Sequence, residues 1–270
     1  MRPAIILIFA VLVIFPGCSS DEIEQPPFRL VEFMSSFTAM ANEYISYTVP
    51  SLVPDDCCII EYANGRVSRV VHKNSVPQPI NPDGTLPTLL DWYYEFVYSG
   101  NKVTLMIKID NYDIPYSPQK RELFFDDKGR IVKRIARGDT TDFYYSQNGL
   151  LTKSVIQNGG YSVIERNFFF DSNDNLIRIT GFIDNATARD IKIFEYFEGY
   201  DNAINGFKNL GVIEGAFIRS LSRNNFNLYS FATYDDQNTM IDSMRIYLPV
   251  KYGANGDPIY GICPGSNSKK

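Results

Sequence analysis

Downstream of residue 58, apolar and polar positions alternate in short runs, and the runs come in pairs. IIEYANGRVSRVV starts at Ile59, YEFVYSGNKVTLMIKID at Tyr94 and RELFFDDKGRIVKRIA at Arg121. TDFYYSQNGLLTKSVI follows at Thr141 and ERNFFFDSNDNLIRITGFI at Glu165. Each joins an aromatic run to a β-branched, basic run through a turn of Asp, Asn, Ser and Gly. In KVTLMIKID, Val103, Leu105, Ile107 and Ile109 fall on one side and Lys102, Thr104, Lys108 and Asp110 on the other. A period of two with one wet face predicts antiparallel hairpins. MRIYLPVKYG repeats the alternation, with Met244, Ile246, Leu248, Val250 and Tyr252 inward. Gly65, Gly100, Gly129 and Gly149, with Asn175 in the equivalent place, supply the positive φ such turns need.

Elsewhere the period changes. From Phe28 to Tyr47, Leu30, Phe33, Met34, Phe37, Met40, Ala41, Tyr44 and Ile45 recur every three or four residues, between Pro27 and Pro50. That stripe predicts a helix. Two irregular stretches interrupt the hairpins: a Pro- and Asn-rich loop from Lys73 to Trp92, and Tyr200 to Ser230, where GVIEGAFIRSLS suggests a short helix. The expected fold is mainly β: a long, twisted antiparallel sheet of repeated hairpins, about a dozen strands, with one N-terminal helix. The helix or the sheet's own curl covers the apolar face, and charge and Pro blunt the edges.

The N-terminus carries an address. An apolar run from Ala4 to Phe15 follows Met1 and Arg2 and ends Phe15-Pro16-Gly17-Cys18. It is too short for a membrane span, which needs roughly twenty residues, and has the layout of a secretory signal. Gly17-Cys18 resembles the bacterial lipobox, although Phe15 and Pro16 depart from its usual residues. The resemblance implies that Cys18 is acylated and becomes the first mature residue. Asp21, Glu22 and Glu24 resemble the acidic export signal of Bacteroidota surface lipoproteins. The implied organisation is a signal over 1–17, an acidic flexible tether over 18–27, a helix and connection over 28–54, and a hairpin-repeat β domain over 55–265. The implied address is the outer membrane, lipid-anchored, at the cell surface or else on the periplasmic face.

Composition narrows the partners. The chain has 270 residues, 26 basic and 31 acidic, for a formal net charge of −5. A mildly acidic chain with scattered basic residues has no footprint for nucleic acid. The 18 Tyr and 19 Phe against one Trp favour sheet. Besides Cys18 there are Cys57, Cys58 and Cys263. An oxidising envelope permits a disulfide from Cys57 or Cys58 to Cys263, or a strained vicinal Cys57–Cys58 ring. With His72 the one histidine and no Cys pair at metal-ligand spacing, neither a metal nor a cofactor is expected.

Candidate chemistry is sparse. Asp171-Ser172-Asn173-Asp174-Asn175 has the oxygen spacing of a calcium loop, but Leu176 and Phe182 stand where that loop needs Gly and Glu, so it reads as a hairpin turn. Asp55-Asp56, Asp126-Asp127 and Asp235-Asp236 are carboxylate pairs of the kind a glycosidase uses across a cleft, yet turns favour Asp for local reasons. His72 reads as a surface or edge histidine at a strand end. Trp92, Tyr93 and Tyr94 are the best candidate for stacking on a sugar or other apolar-faced ligand. Thr140, in Asp139-Thr140-Thr141, and Ser243, in Asp242-Ser243-Met244, resemble the O-glycosylation signal of Bacteroidota envelope proteins.

FFDDKGRIVKR, YYSQNGLLTKS and FFDSNDNLIRI resemble the Tyr-Asp repeat of RHS and teneurin-type proteins. The order of parts is similar to a group of uncharacterised Bacteroidota lipoproteins. There such repeats lead into segments matching Tyr200-Asp201-Asn202, Asn205-Gly206-Phe207-Lys208 and Ser222-Arg223-Asn224-Asn225, Gly206 replacing the usual Pro. The resemblance spans about residues 55 to 262 and implies fold and address without an activity. The expected function is a non-enzymatic envelope lipoprotein, a binding or accessory module for a glycan or an envelope or host protein, touching the membrane through its lipid. The alternatives are a glycan-acting envelope hydrolase using paired carboxylates, and a structural spacer.

Overall fold

The computed structural model describes residues 30, 32–34, 57–73, 92–109, 120–136, 138–158, 162–185 and 190–260. The expected signal, the tether, Cys18 and Cys263 lie outside them.

The fold is mainly β. Among the described residues, a main sheet of 14 strands runs in chain order, each antiparallel to the next. The strands are β1 (Glu32–Met34), β2 (Cys57–Ala63), β3 (Arg66–Lys73), β4 (Trp92–Ser99), β5 (Lys102–Ile109), β6 (Arg121–Phe125) and β7 (Ile131–Ala136). They continue as β8 (Asp139–Tyr145), β9 (Leu151–Asn158), β10 (Ser162–Phe170), β11 (Leu176–Asn185), β12 (Ile191–Glu198), β13 (Leu228–Tyr234) and β14 (Met240–Tyr247). A small hairpin, β15 (Lys251–Tyr252) and β16 (Pro258–Ile259), follows. The paired aromatic and β-branched runs are the hairpins β2–β3, β4–β5, β6–β7, β8–β9 and β10–β11. Ile191–Glu198, which no repeat motif marked, adds β12.

Two expectations are corrected. Glu32–Met34 is a strand, with Phe33 opposite Cys58, so the helix expected over Phe28–Tyr47 does not hold at these positions. A short apolar run fits either period, and pairing with β2 satisfies backbone groups that would otherwise sit at a sheet edge. The rest of that segment lies outside the described residues. The MRIYLPVKYG alternation also breaks: β14 ends at Tyr247 because Pro249 cannot donate to a ladder. Leu248 is still buried and Met244, Ile246 and Val250 pack on the core, but Tyr252 faces outward.

The apolar face is covered by the segment between β12 and β13. Phe207, Leu210, Ile213, Phe217, Ile218 and Phe226 are all buried in the main core. Glu214–Ala216 form a 3₁₀ turn and Phe217–Leu221 a short helix, α1. Phe207 meets Phe33 of β1 at 5.3 Å between ring centroids. Phe217 meets Phe143 of β8 at 5.2 Å, and Phe226 meets Phe197 of β12 at 5.1 Å.

A curled sheet accounts for these contacts. In a flat sheet, β1 and β8 would lie about 34 Å apart at ~4.8 Å per strand. The chain from Phe207 to Phe217 is contracted by hydrogen bonds from Leu210 to Phe207, Ile213 to Leu210 and Ala216 to Ile213. At roughly 2 Å of rise per residue it spans only about 20 Å. The sheet therefore bends around the segment, which fills its concave side.

Candidate functional site

The hairpin tips are built by one device used repeatedly. Asp126 Oδ1 accepts from the N–H groups of Lys128 and Arg130 at 3.0 and 2.9 Å. Asp171 Oδ1 does the same for Asn173 and Asn175 at 2.8 and 2.9 Å, and Asp235 Oδ1 for Gln237 and Thr239 at 3.0 and 2.7 Å. Ser146 supplies a weaker version, its Oγ accepting from Leu150 N–H at 3.2 Å. The fourth turn residue is left-handed each time: Gly129, Gly149, Asp174 and Asn238. Asp174, not Asn175, thus carries the positive φ of its turn. Asn175 is buried, and its Oδ1 accepts from Asn224 N–H at 2.9 Å. In each hairpin the register shifts just before the turn, at Phe124/Phe125, Tyr144/Tyr145, Phe169/Phe170 and Thr233/Tyr234, as a turn with an adjoining bulge requires.

This device engages the first carboxylate of two of the three pairs. Asp126 also takes a two-pronged contact from Arg130, 2.8 Å from Nε and 2.6 Å from Nη2. Those hydrogen bonds hold its carboxyl below the usual range, the opposite of what a general acid needs. Asp235 is buried in its turn. Asp55 and Asp56 lie outside the described residues. The Asp171 to Asn175 stretch is a hairpin turn, as its flanks predicted.

One concave feature stands out. Three successive tips, β2–β3, β4–β5 and β6–β7, meet the segment 206–212 around a cavity of about 650 Å³. This falls within the roughly 300–1,000 Å³ typical of small-ligand sites. Tyr62, Tyr98 and Phe125 give it aromatic walls. Arg66, Asn101, Asp127 and Asn209 give it polar groups. Tyr62 is fixed by donating its hydroxyl to the Leu30 carbonyl at 2.7 Å. The Arg66 guanidinium lies 5.2 Å from the centroid of the Tyr98 ring, and burial raises the Tyr98 hydroxyl pKa against the pull of that cation. The left-handed Gly100 and Gly129 leave room at the rim, where an added Cβ would meet nothing within 4 Å.

Asp126 and Asp127 line this cavity, but the aromatic residues singled out from sequence lie elsewhere. Trp92 starts β4 opposite His72, whereas Tyr98 lies near the other end of that strand. At ~3.3 Å per residue the two positions are about 20 Å apart. Tyr93 and Tyr94 face opposite sides and form no common platform: the Arg69 guanidinium lies 3.6 Å from the Tyr93 ring centroid, while Tyr94 meets His72 at 5.6 Å. His72 is half-buried next to the last residue of β3. Its Nδ1 lies 3.4 Å from the Cys58 thiol, and burial pushes its pKa down to about 4. Cys57 is disulfide-bonded and Cys58 keeps a buried thiol, so there is no vicinal ring. Thr140 is half-buried within β8, and Ser243 is exposed on β14. Among the described residues no group of three His, Cys, Asp or Glu is placed to hold a metal ion.

The segments Tyr200-Asp201-Asn202, Asn205-Gly206-Phe207-Lys208 and Ser222-Arg223-Asn224-Asn225 come together, as a clasp. Asn205 Nδ2 donates to the carbonyls of Arg219 and Ser222 at 2.7 and 2.9 Å, and its Oδ1 accepts from Phe207 N–H at 3.0 Å. Asp201 Oδ1 accepts from Ala203 and Asn225 N–H. Asn225 Nδ2 donates to the Ile204 carbonyl. Tyr260 of the terminal hairpin donates to Asn225 and accepts from Gly206 N–H, while Tyr252 donates to Asp201. These polar residues satisfy the backbone of the buried segment and fix the floor of the cavity.

No known protein-family model matches the chain, and no curated protein sequence matches it. Solved structures resemble it at low identity. A porin-like protein from Bacteroides vulgatus ATCC 8482 is 10% identical over 74% of this chain and 88% of its own, with a TM-score of 0.44. A porin-like protein from Bacteroides uniformis ATCC 8492 is 10% identical over 75% and 80%, with a TM-score of 0.48. A chain of the TcdB2-TccC3-Cdc42 complex is 7% identical over 75% of this chain but only 9% of its own, with a TM-score of 0.34. Likeness at this level carries no assignment of function.

Proposed function

We propose that the protein is a non-enzymatic binding or accessory module of the bacterial envelope, held at the outer membrane by acylated Cys18, and that the tip cavity takes its ligand. The cavity is the observation that carries the reading. It combines aromatic walls with a few polar groups on successive hairpin tips, the usual make-up of a ligand site. A binding role is favoured over hydrolysis because Asp126, at the cavity, is committed to its turn and to Arg130. The lipid address rests on the Gly17-Cys18 motif and the acidic tether.

The test is a small-molecule screen by native mass spectrometry on the mature lipidated chain in detergent, beside Asn209→Ala. Asn209 is exposed, so the variant keeps the fold. The expected result is a ligand whose binding weakens in Asn209→Ala; ligands that bind both chains alike would place the site elsewhere. Protease shaving of intact cells tests the address. Loss of the protein from intact cells fits surface display, and protection moves the module to the periplasmic face.

A further inference from the structure

We propose that the ligand is a linear oligosaccharide, running from the tip cavity across the Arg66–Tyr98 pair into a second concavity. This rests on reading the cavity as a ligand site. The second concavity, about 380 Å³, is bounded by Ala63, Asn64, Ser68 and Phe96, and it shares Arg66, Val67 and Tyr98 with the first. The two hollows are thus neighbours across one wall. A compact ligand fills one of them, whereas a chain of repeating units fills both.

The lining selects the chemistry. Asp126 is neutralised by Arg130, which leaves Arg66 and Asp127 as one charge of each sign. No excess of either sign is present to hold a polyanion or a polycation. The cavity is open to solvent and ringed by polar groups, unlike a dry site for a lipid chain. Asn64, Asn101 and Asn209 carry amides, which both donate and accept. Tyr62, Tyr98 and Phe125 offer flat apolar surface. A sugar ring presents the matching pair of features: an apolar face of C–H groups and an edge of hydroxyls that donate and accept.

Asn64 separates the two hollows experimentally. It belongs to the second concavity and has a left-handed φ of 52°. Asn64→Gly therefore removes the amide without straining the backbone. Malto-, cello-, manno- and N-acetylglucosamine series of one to six units are titrated calorimetrically into the full chain, Asn64→Gly and Asn209→Ala. In one series, affinity for the original chain is expected to rise about tenfold or more from dimer to tetramer. Asn64→Gly keeps the dimer affinity and loses that gain, while Asn209→Ala weakens dimer and tetramer alike. A series that binds without length dependence, or a tetramer indifferent to Asn64→Gly, overturns the extended path and leaves the cavity reading standing. Failure of every saccharide alongside a non-carbohydrate ligand lost in Asn209→Ala overturns the carbohydrate class alone. Failure of every ligand class to respond to Asn209→Ala overturns both readings.

Discussion

Glu195 of β12 lies fully buried with its carboxylate 3.4 Å from the guanidinium of Arg166 on β10. It also accepts a hydrogen bond from the Tyr229 hydroxyl at 2.9 Å. Burial pushes the Glu195 pKa up, and Arg166 and Tyr229 pull it back. Between the two strands, β11 has Gly181 opposite Arg166 on one side and Ile193 on the other, so the ion pair crosses the strand where a side chain is missing. Removing one partner of a buried pair strands the other charge. Glu195→Ala is expected to destabilise the protein by about 3–5 kcal/mol, and Tyr229→Phe by about 1–3 kcal/mol. Urea unfolding of each variant checks both values.

The repeated Asp turns predict a ranking. Asp171→Ala and Asp235→Ala each remove the hydrogen bonds to two turn N–H groups, and Asp171→Ala also a longer one from the Asn175 amide, a loss of about 1–2 kcal/mol. Asp126→Ala should cost more, because Arg130 loses its carboxylate as well, and Arg130 packs 4.6 Å from the centroid of the Tyr145 ring in the next hairpin. Equal midpoints for the three variants in thermal unfolding would contradict the coupling between successive turns.

His72 makes stability depend on pH. Its folded pKa of about 4 lies below the ordinary 6.5, so the unfolded chain takes up the proton first as pH falls. The contribution of the neutral ring is fully present above about pH 6.5 and is lost as pH falls towards 4, amounting to about 3 kcal/mol. In His72→Gln the stability difference between pH 7 and pH 4 should shrink by that amount. An unchanged difference, measured by urea titration at both pH values, would show that the ring titrates normally.

Gly129 isolates a backbone cost from a packing cost. Its φ is 74°, and an added Cβ would meet nothing within 4 Å. Gly129→Ala should therefore destabilise by about 1–2 kcal/mol through left-handed strain alone. Gly129→Asn should cost less, since Asn238 holds the equivalent place in its own turn. Gly181→Ala is a contrasting case, because its Cβ would lie 3.2 Å from Ile193 Cβ.

Much of the scaffold was legible in the chain because it is local. Alternation with period two gave the hairpins, and Asp and Gly at fixed offsets gave their turns, since both depend on residues within five positions of each other. The short helix inside GVIEGAFIRSLS was legible for the same reason. Phe33 was not, because three residues of apolar stripe satisfy either period until a partner strand is present.

Tertiary structure decided the rest. Tyr62, Tyr98, Phe125 and Asn209 come from four separate stretches, and nothing in any one of them marks a wall of a cavity. They meet because the sheet curls around the segment from Phe207 to Phe226, and that curl follows from which rings pack across many strands. The Tyr200, Asn205 and Asn225 motifs read as structural in one dimension, and only the fold shows that they form the clasp that holds the segment in place. Sequence alone determined the repeating hairpin and its turn chemistry, which short-range hydrogen bonds dictate. The fold determined where the tips converge, because only long-range burial can bring them together.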